Sequence, residues 1–276
     1  MSVLSSRPGL DDKTLTSWNG LLIKGLADAY RALGKEYIRE LAVSAGVFIR
    51  DNMTVSNRLM HSYKNGQATV TGFLEDYAAV VEAYLALYQI TFDEQWIMLA
   101  KKLADYTIQN FFDQKEGFFY FTDTYGEALI SRKKELLDNV IPSSNSIMAH
   151  NLYLLGMMLD DDEYAKISDA MLSKMSKMLL ADVQWVTNWA ALYCMRALPT
   201  AEIIIVGTDA DEMRKDFDRF FIPNKIVMGT TTASQLPLLQ NRTDINGKTA
   251  IYICYDKTCQ LPVTQVESAL RQLGGE

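Results

Sequence analysis

The chain has 276 residues, 49% hydrophobic and 22% charged, which is ordinary globular usage and excludes disordered, collagenous and low-complexity classes. Its 27 Lys and Arg against 34 Asp and Glu give a net charge of −7, which argues against a general affinity for nucleic acid or anionic lipid. No apolar run approaches the ~18 residues of a membrane helix, and residues 1–8 lack a signal-peptide core.

The chain changes character near Pro199, which sets a boundary at residue 198 between a helical part (1–198) and a small α/β part (199–276). Trp18, Leu21, Leu22, Leu26, Ala29, Tyr30 and Leu33 recur at three- and four-residue steps, one helical stripe that Gly34 should stop. Tyr37 to Ile49 makes a second stripe, ending near Asn52. Further helices are expected over 73–91, 93–112, 145–159 and 163–180. A seventh, over 183–198, is apolar on most sides and is expected to be buried. Strand-like runs stand at 59–63 and 118–122, and β-rich runs at 203–207 and 250–255.

The helices repeat as pairs. Ala29-Tyr30-Arg31-Ala32-Leu33 is echoed by Ala83-Tyr84-Leu85-Ala86-Leu87, and Ile38 to Ala42 by Trp96 to Ala100, with a looser third copy from Leu152 to Tyr164. Such repeats signal stacked helical hairpins, each burying an apolar face against its neighbours. The expected fold is mainly α: a partial α/α toroid with a small C-terminal α/β subdomain. A closed ring of six pairs needs more helices than the seven read here, so the arc is open or its missing turns lie upstream, and the abrupt start at Leu10-Asp11-Asp12 favours the second.

Three polar connectors feed the first helix of each pair: Asp11 to Gly20, Thr69 to Tyr77, and Arg132 to Asp138 continuing through Pro142 to Ser146. If the pairs stack in register, these helix N-termini open into one mouth, each offering unpaired N–H groups suited to anions and hydroxyl-rich ligands. Any one of Asp11, Asp12, Thr16, Ser143 or Asn145 is by itself more readily read as a helix cap, and Glu75-Asp76 as a macrodipole partner. The recurrence of polar residues at the same point of three repeats is what favours a site. A mouth holding Asp12, Glu75, Asp76, Glu135 and Asp138 beside Trp18, Phe73 and Tyr77 suits a sugar: aromatic faces stack on rings, and carboxylates and Asn19 or Asn145 bind hydroxyls. Two carboxylates also serve as acid and base in glycoside cleavage.

The chain has two histidines, His61 and His150. A sugar epimerase uses a base of this type, and His150, early in the fifth helix, is the better placed. A lone helical histidine is more often a satisfied core residue, and His61, on a strand-like run, carries less weight. Three cysteines are too few and uneven for a disulfide framework, so a reducing cytoplasm is expected. Cys254-x4-Cys259 lacks the extra ligands of a zinc site and the Cys-x-x-Cys spacing of a redox motif, and reads as a strand-end thiol and a turn thiol. No metal or cofactor is expected.

The same residues carry a family resemblance. Leu10-Asp11-Asp12-Lys13 with Thr16-x-Trp18-Asn19-Gly20, then Phe73-Leu74-Glu75-Asp76-Tyr77-Ala78, then Arg132-x-Lys134-Glu135 with Asp138, Pro142-Ser143 and Asn145-Ser146, together resemble the YyaL/spermatogenesis-associated protein 20 family. The tail, from Ile204-Ile205-Val206-Gly207 to Pro262-Val263, is similar to that family's closing segment. Glu75 stands where the family has aspartate, and Asn139 and Ser144 where glycine is usual. The resemblance implies that the chain is the C-terminal part of a thioredoxin domain-containing protein, with a thioredoxin-like domain upstream as a partner. It also implies a helical region similar to six-hairpin glycosidases and N-acylglucosamine 2-epimerases. On this reading Glu75, Asp76 and Asp138 are the catalytic candidates. Asp12, Trp18, Asn19, Tyr77, Arg132, Glu135, Asn145 and His150 are the candidates for binding a carbohydrate ligand. The competing expectation is a non-catalytic scaffold in which these polar groups pair with one another.

Overall fold

The computed structural model describes residues 11–125 and 132–274; Leu10 of the opening motif and the segment 1–8 lie outside them. Strand β1 (Thr14–Leu15) leads into α1 (Thr16–Leu33), which buries Ile23, Ala27 and Tyr30 along its stripe. Gly34 stops the helix in the left-handed region at φ 63°, donating its N–H to the Tyr30 carbonyl. Helix α2 (Glu36–Asn52) folds back along α1, and β2 (Thr54–Val55), β3 (Arg58–Lys64) and β4 (Gln67–Thr71) follow. The three strands join β1 in an antiparallel sheet, with Thr14 opposite Tyr63 and Ser62 opposite Thr69. Strand β3 is tied to the starts of two helices, because Thr16 donates to the Met60 carbonyl and the Leu59 N–H donates to the Tyr77 hydroxyl.

Helices α3 (Leu74–Thr91) and α4 (Glu94–Asn110) form the next hairpin, closed by the short β5 (Phe112–Asp113) and β6 (Phe118–Phe119). Helices α5 (Ser144–Leu159) and α6 (Asp162–Ala181) form the third. α1, α3 and α5 stand side by side as an inner row, each backed by its own partner α2, α4 or α6. This inner row explains two composition patterns. α3 and α5 meet neighbours on nearly every side and are apolar almost all round, whereas α2, α4 and α6 bury one face only. The arrangement is an arc of an α/α toroid. α1 and α3 pack so closely that a Cβ built on Gly20 would lie 2.8 Å from the Ala79 carbonyl carbon.

Helix α7 (Thr187–Ala197) departs from the expected buried helix. It buries Trp189 and Leu192 but leaves Tyr193 exposed, because α5 and α6 cover one side of it and no described element covers the other.

Beyond it, β7 (Ala201–Val206), α8 (Ala210–Phe217), β8 (Lys225–Thr230), β9 (Ala250–Tyr255), β10 (Thr258–Cys259) and α9 (Val266–Gln272) form a sheet of order β10-β9-β7-β8. β7 and β8 are parallel and β9 is antiparallel to β7. Period-two alternation sorts the strands: Ile204, Val206, Ile226 and Met228 join the helical core, while Ile203, Ile205, Val227 and Ile253 pack under α8 and α9. The β8 edge is covered by α3, where the Gln89 side-chain carbonyl accepts from the Val227 N–H. Arg31 of α1 also pairs with Asp218 just after α8, at 2.9 Å.

The two cysteines expected to be separate thiols are joined as a disulfide. The two-residue turn Asp256-Lys257, both at positive φ, brings β10 back along β9 so that Cys259 falls directly opposite Cys254. Among the described residues no helix is long and apolar enough to cross a membrane.

Candidate functional site

A cleft of about 450 Å³ opens where α1, α3 and α5 begin, walled on one side by the segment 134–144. Ser17 and Leu21 of α1, Glu75 and Ala79 of α3, and Ser144 and Ile147 of α5 line it, facing Lys134, Glu135 and Leu136. Glu75 is the second residue of α3, in its first turn, and is half-buried. Burial pushes its carboxyl above the ordinary range, and the nearby charges of Asp76 and Glu135 add to the effect. A carboxyl so placed holds its proton nearer to neutrality, as a general acid must.

Behind Glu75 lies a frame of saturated polar contacts. Asp76 is fully buried. Its Oδ1 accepts from the Ser17 N–H at 2.9 Å, and its Oδ2 accepts from the Phe73 N–H at 2.9 Å and from His61 Nδ1 at 2.9 Å. One carboxylate thus caps the N-termini of both α1 and α3, and the cap that sequence reasoning sought in Asp11, Asp12 or Thr16 comes from the neighbouring helix. Asp138 does the same for the next pair. Its Oδ1 accepts from the Ser143 N–H at 2.9 Å and the Ser146 hydroxyl at 3.1 Å, and its Oδ2 accepts from the Asn188 N–H of α7 at 2.8 Å. Both carboxylates spend their lone pairs on helix ends.

His61 sits on β3 with its Nδ1 against Asp76, an arrangement that fixes the ring and leaves Nε2 as the other functional nitrogen. The Asp76 hydrogen bond raises the His61 pKa above the ordinary imidazole value of 6.5, against an opposing effect of burial. Ligand-capable atoms of His61, Glu75 and Asp76 lie within 4.8 Å of one another. Asp76 already accepts three hydrogen bonds, so this cluster suits proton sharing better than cation binding. Phe73 stacks on Phe121 with ring centroids 4.9 Å apart and lies 5.0 Å from the His61 ring, an apolar wall beside the cluster.

Asn145 is a positioning residue. Its Oδ1 accepts from the Phe119 N–H, and its Nδ2 donates to the Phe119 and Glu135 carbonyls at 2.9 and 3.0 Å, fixing the segment that carries Glu135 into the cleft. Glu135 also pairs with Lys133 at 3.0 Å. Tyr77 is fully buried, stacked on Tyr106 at 5.2 Å, and belongs to the core behind the site.

The remaining candidates lie apart from the cleft lining. Asp12 pairs with Lys64 at the surface. Trp18 is 70% exposed and Asn19 donates to the Leu15 carbonyl at 2.7 Å, within the start of its own helix. Arg132 lies over the Tyr120 ring, 4.1 Å from its centroid, and donates to the Thr122 carbonyl. His150 Nε2 donates to the Asn188 carbonyl at 2.8 Å, and burial pushes its imidazole below the usual value. The two histidines therefore exchange the weights that sequence reasoning gave them. No local pattern marks His61, because only the pairing of β3 across the start of α3 brings it to Asp76.

No family model matches the chain. Human spermatogenesis-associated protein 20 is 27% identical over 94% of this chain and 36% of its own length. The rat protein of the same name is 28% identical over 92% of this chain and 35% of its own length. The chain spans about a third of the length of these curated relatives. Among solved structures, a GH76 alpha-mannanase from Bacteroides thetaiotaomicron superposes with a TM-score of 0.51 at 19% identity, covering 63% of this chain and 47% of that one. A sugar epimerase from a ruminal bacterium gives a TM-score of 0.50 at 15% identity, covering 61% and 45%. These likenesses establish the α/α-toroid fold, and the chain is similar to spermatogenesis-associated protein 20 along more than nine-tenths of its own length.

Proposed function

We propose that the cleft is a carbohydrate site with acid–base capability, of glycoside-hydrolase or sugar-epimerase type, in which Glu75 exchanges the proton. The observation that carries this reading is the half-buried Glu75 carboxyl, held above its usual pKa within a cleft of about 450 Å³ and backed by the His61–Asp76 pair. Glu135, across the cleft, is the second carboxylate that either chemistry needs. Ser144 supplies a hydroxyl-binding group. Two proteins that share the fold bear the names of an alpha-mannanase and a sugar epimerase, which is the class of ligand proposed.

The reading is tested by offering the protein a panel of nitrophenyl glycosides and free sugars. Release of nitrophenol reports hydrolysis, and deuterium uptake at C2 in heavy water reports epimerisation. Glu75→Gln abolishes whichever activity is found while leaving the fold intact; equal turnover by wild type and Glu75→Gln refutes the proposal.

A second reading is favoured by one observation: Asp12, Asp76 and Asp138 are all engaged, with Lys64 or with helix ends. On it, the helical part is a scaffold serving an upstream thioredoxin-like domain. It is distinguished by the absence of turnover together with binding of that domain, supplied as a separate chain, to wild type and Glu75→Gln alike.

A further inference from the structure

Far from the cleft, at the open edge of the C-terminal sheet, four chemically unusual groups converge. Cys254 and Cys259 form a disulfide between β9 and β10. Cys254 is fully buried and Cys259 is exposed. The Arg242 guanidinium reaches both sulfurs, with Nη2 3.1 Å from Cys259 Sγ and 3.8 Å from Cys254 Sγ. It is held there by its own donation to the Leu238 carbonyl and by the face of Tyr252, 5.7 Å away. On the next strand, Glu202 stands directly opposite Cys254 in the β7–β9 register and therefore on the same face. Its side chain is 3% exposed, and its Oε2 has no hydrogen-bond partner.

A structural cross-link needs none of these neighbours. A guanidinium against both sulfurs stabilises thiolates, which matters only when the S–S bond is broken. A buried carboxyl beside the buried sulfur, with one oxygen accepting from the Lys257 N–H at 3.3 Å and the other without a partner, is a costly arrangement unless it holds or moves a proton. Burial raises the Glu202 pKa, so the group carries a proton closer to neutrality than a surface glutamate does. Reactivity also has a direction, because only Cys259 is open to attack.

We propose that Cys254–Cys259 is a thiol–disulfide exchange site for a dithiol, with Cys259 as the sulfur attacked, Glu202 as the proton donor to Cys254 and Arg242 as the group that stabilises the Cys259 thiolate released in the second step. The thiolate of the incoming dithiol attacks Cys259 Sγ, forming a mixed disulfide and breaking the bond to Cys254. The electron pair of the broken bond stays on Cys254 Sγ, which takes the proton held by Glu202. The second thiol of the dithiol gives its proton to the Glu202 carboxylate and attacks its own partner sulfur, releasing Cys259 as a thiolate beside Arg242. The dithiol is oxidised by two electrons to a disulfide, and the cysteine pair is reduced by two. The reverse sequence oxidises the pair at the expense of a disulfide.

The test uses the whole chain carrying Cys194→Ser, since Cys194 is an exposed free thiol. The oxidised protein is treated with dithiothreitol without denaturant, quenched by alkylation at intervals and read by mass spectrometry. The expected result is reduction in the folded state that reverses with oxidised dithiothreitol, slowed about tenfold in Arg242→Met and restored in Arg242→Lys. Cys254→Ser should form a stable mixed disulfide with glutathione at Cys259. Reduction that proceeds only in urea, an equal rate in Arg242→Met, or a reduced pair that oxidised dithiothreitol cannot close would each overturn the proposal.

Discussion

His61 of β3 and Asp76 of α3 meet at 2.9 Å, although the strand and the helix belong to different supersecondary units. The pair is possible because β3 is hydrogen-bonded to the starts of both α1 and α3. It places beside Glu75 a histidine whose protonation is coupled to the carboxylate that caps two helices.

This coupling fixes a pH dependence. The folded-state pKa of His61 lies above the ordinary value of 6.5, so its bond to Asp76 contributes fully below pH 6.5 and is lost as pH rises through the folded value. His150 has the opposite sign: its folded-state pKa is lowered, so it weakens the fold as pH falls below 6.5. Urea midpoints should therefore decline above pH 6.5 in the wild type, and the decline should vanish in His61→Gln. An NMR titration of the two imidazoles reads the two pKa values directly, one on each side of 6.5.

Asp138 ties α5 to α7 through three accepted hydrogen bonds from buried or half-buried donors. Asp138→Ala leaves those donors unsatisfied and should lower the unfolding free energy by about 3 kcal/mol. Urea denaturation measures this, and a loss below about 0.5 kcal/mol would show the clamp to be incidental.

Glu75 is expected to behave in the contrary way. A carboxyl whose folded pKa is raised costs stability at every pH above its unfolded value, so stability falls as pH rises from the ordinary value of 4.5 through the folded value. Glu75→Gln removes that cost, and the variant should be at least as stable as wild type at pH 7 while losing any activity on sugars. Thermal melts of the two proteins at pH 4 and pH 7 check the sign.

Gly20 explains why the motif Trp18-Asn19-Gly20 ends as it does. A methyl group there would meet the Ala79 backbone at 2.8 Å, forcing α1 from α3 and moving Ser17 away from Asp76. Gly20→Ala should cost about 2 kcal/mol by overpacking, and it should raise the His61 titration less than wild type does because the Asp76 frame is loosened.

The stripe of α1, its stop at Gly34 and the paired repeats were legible because they depend on local periodicity and on a single left-handed residue. The mouth formed by α1, α3 and α5 was legible only as a consequence of stacking those repeats in register. Which polar residues would face it was not. Asp76 stands in the first turn of α3 just as Glu75 does and Asp138 in the connector ahead of α5, and only tertiary hydrogen bonds separate the two saturated carboxylates from the one left in the cleft. Trp18 and Leu21 are one helical turn apart in sequence, yet Leu21 lines the cleft and Trp18 faces solvent. The cysteine pair reads as two separate thiols in the sequence because a two-residue turn, rather than a spacing motif, sets Cys259 opposite Cys254.

The most direct measurement is a crystal structure of the protein soaked with a mixture of mono- and disaccharides. The account predicts sugar density between Glu75 and Glu135, with a hydroxyl or glycosidic oxygen within hydrogen-bond reach of the Glu75 carboxyl. A well-ordered cleft that stays free of sugar at saturating concentration, or density confined to other surfaces, would contradict it.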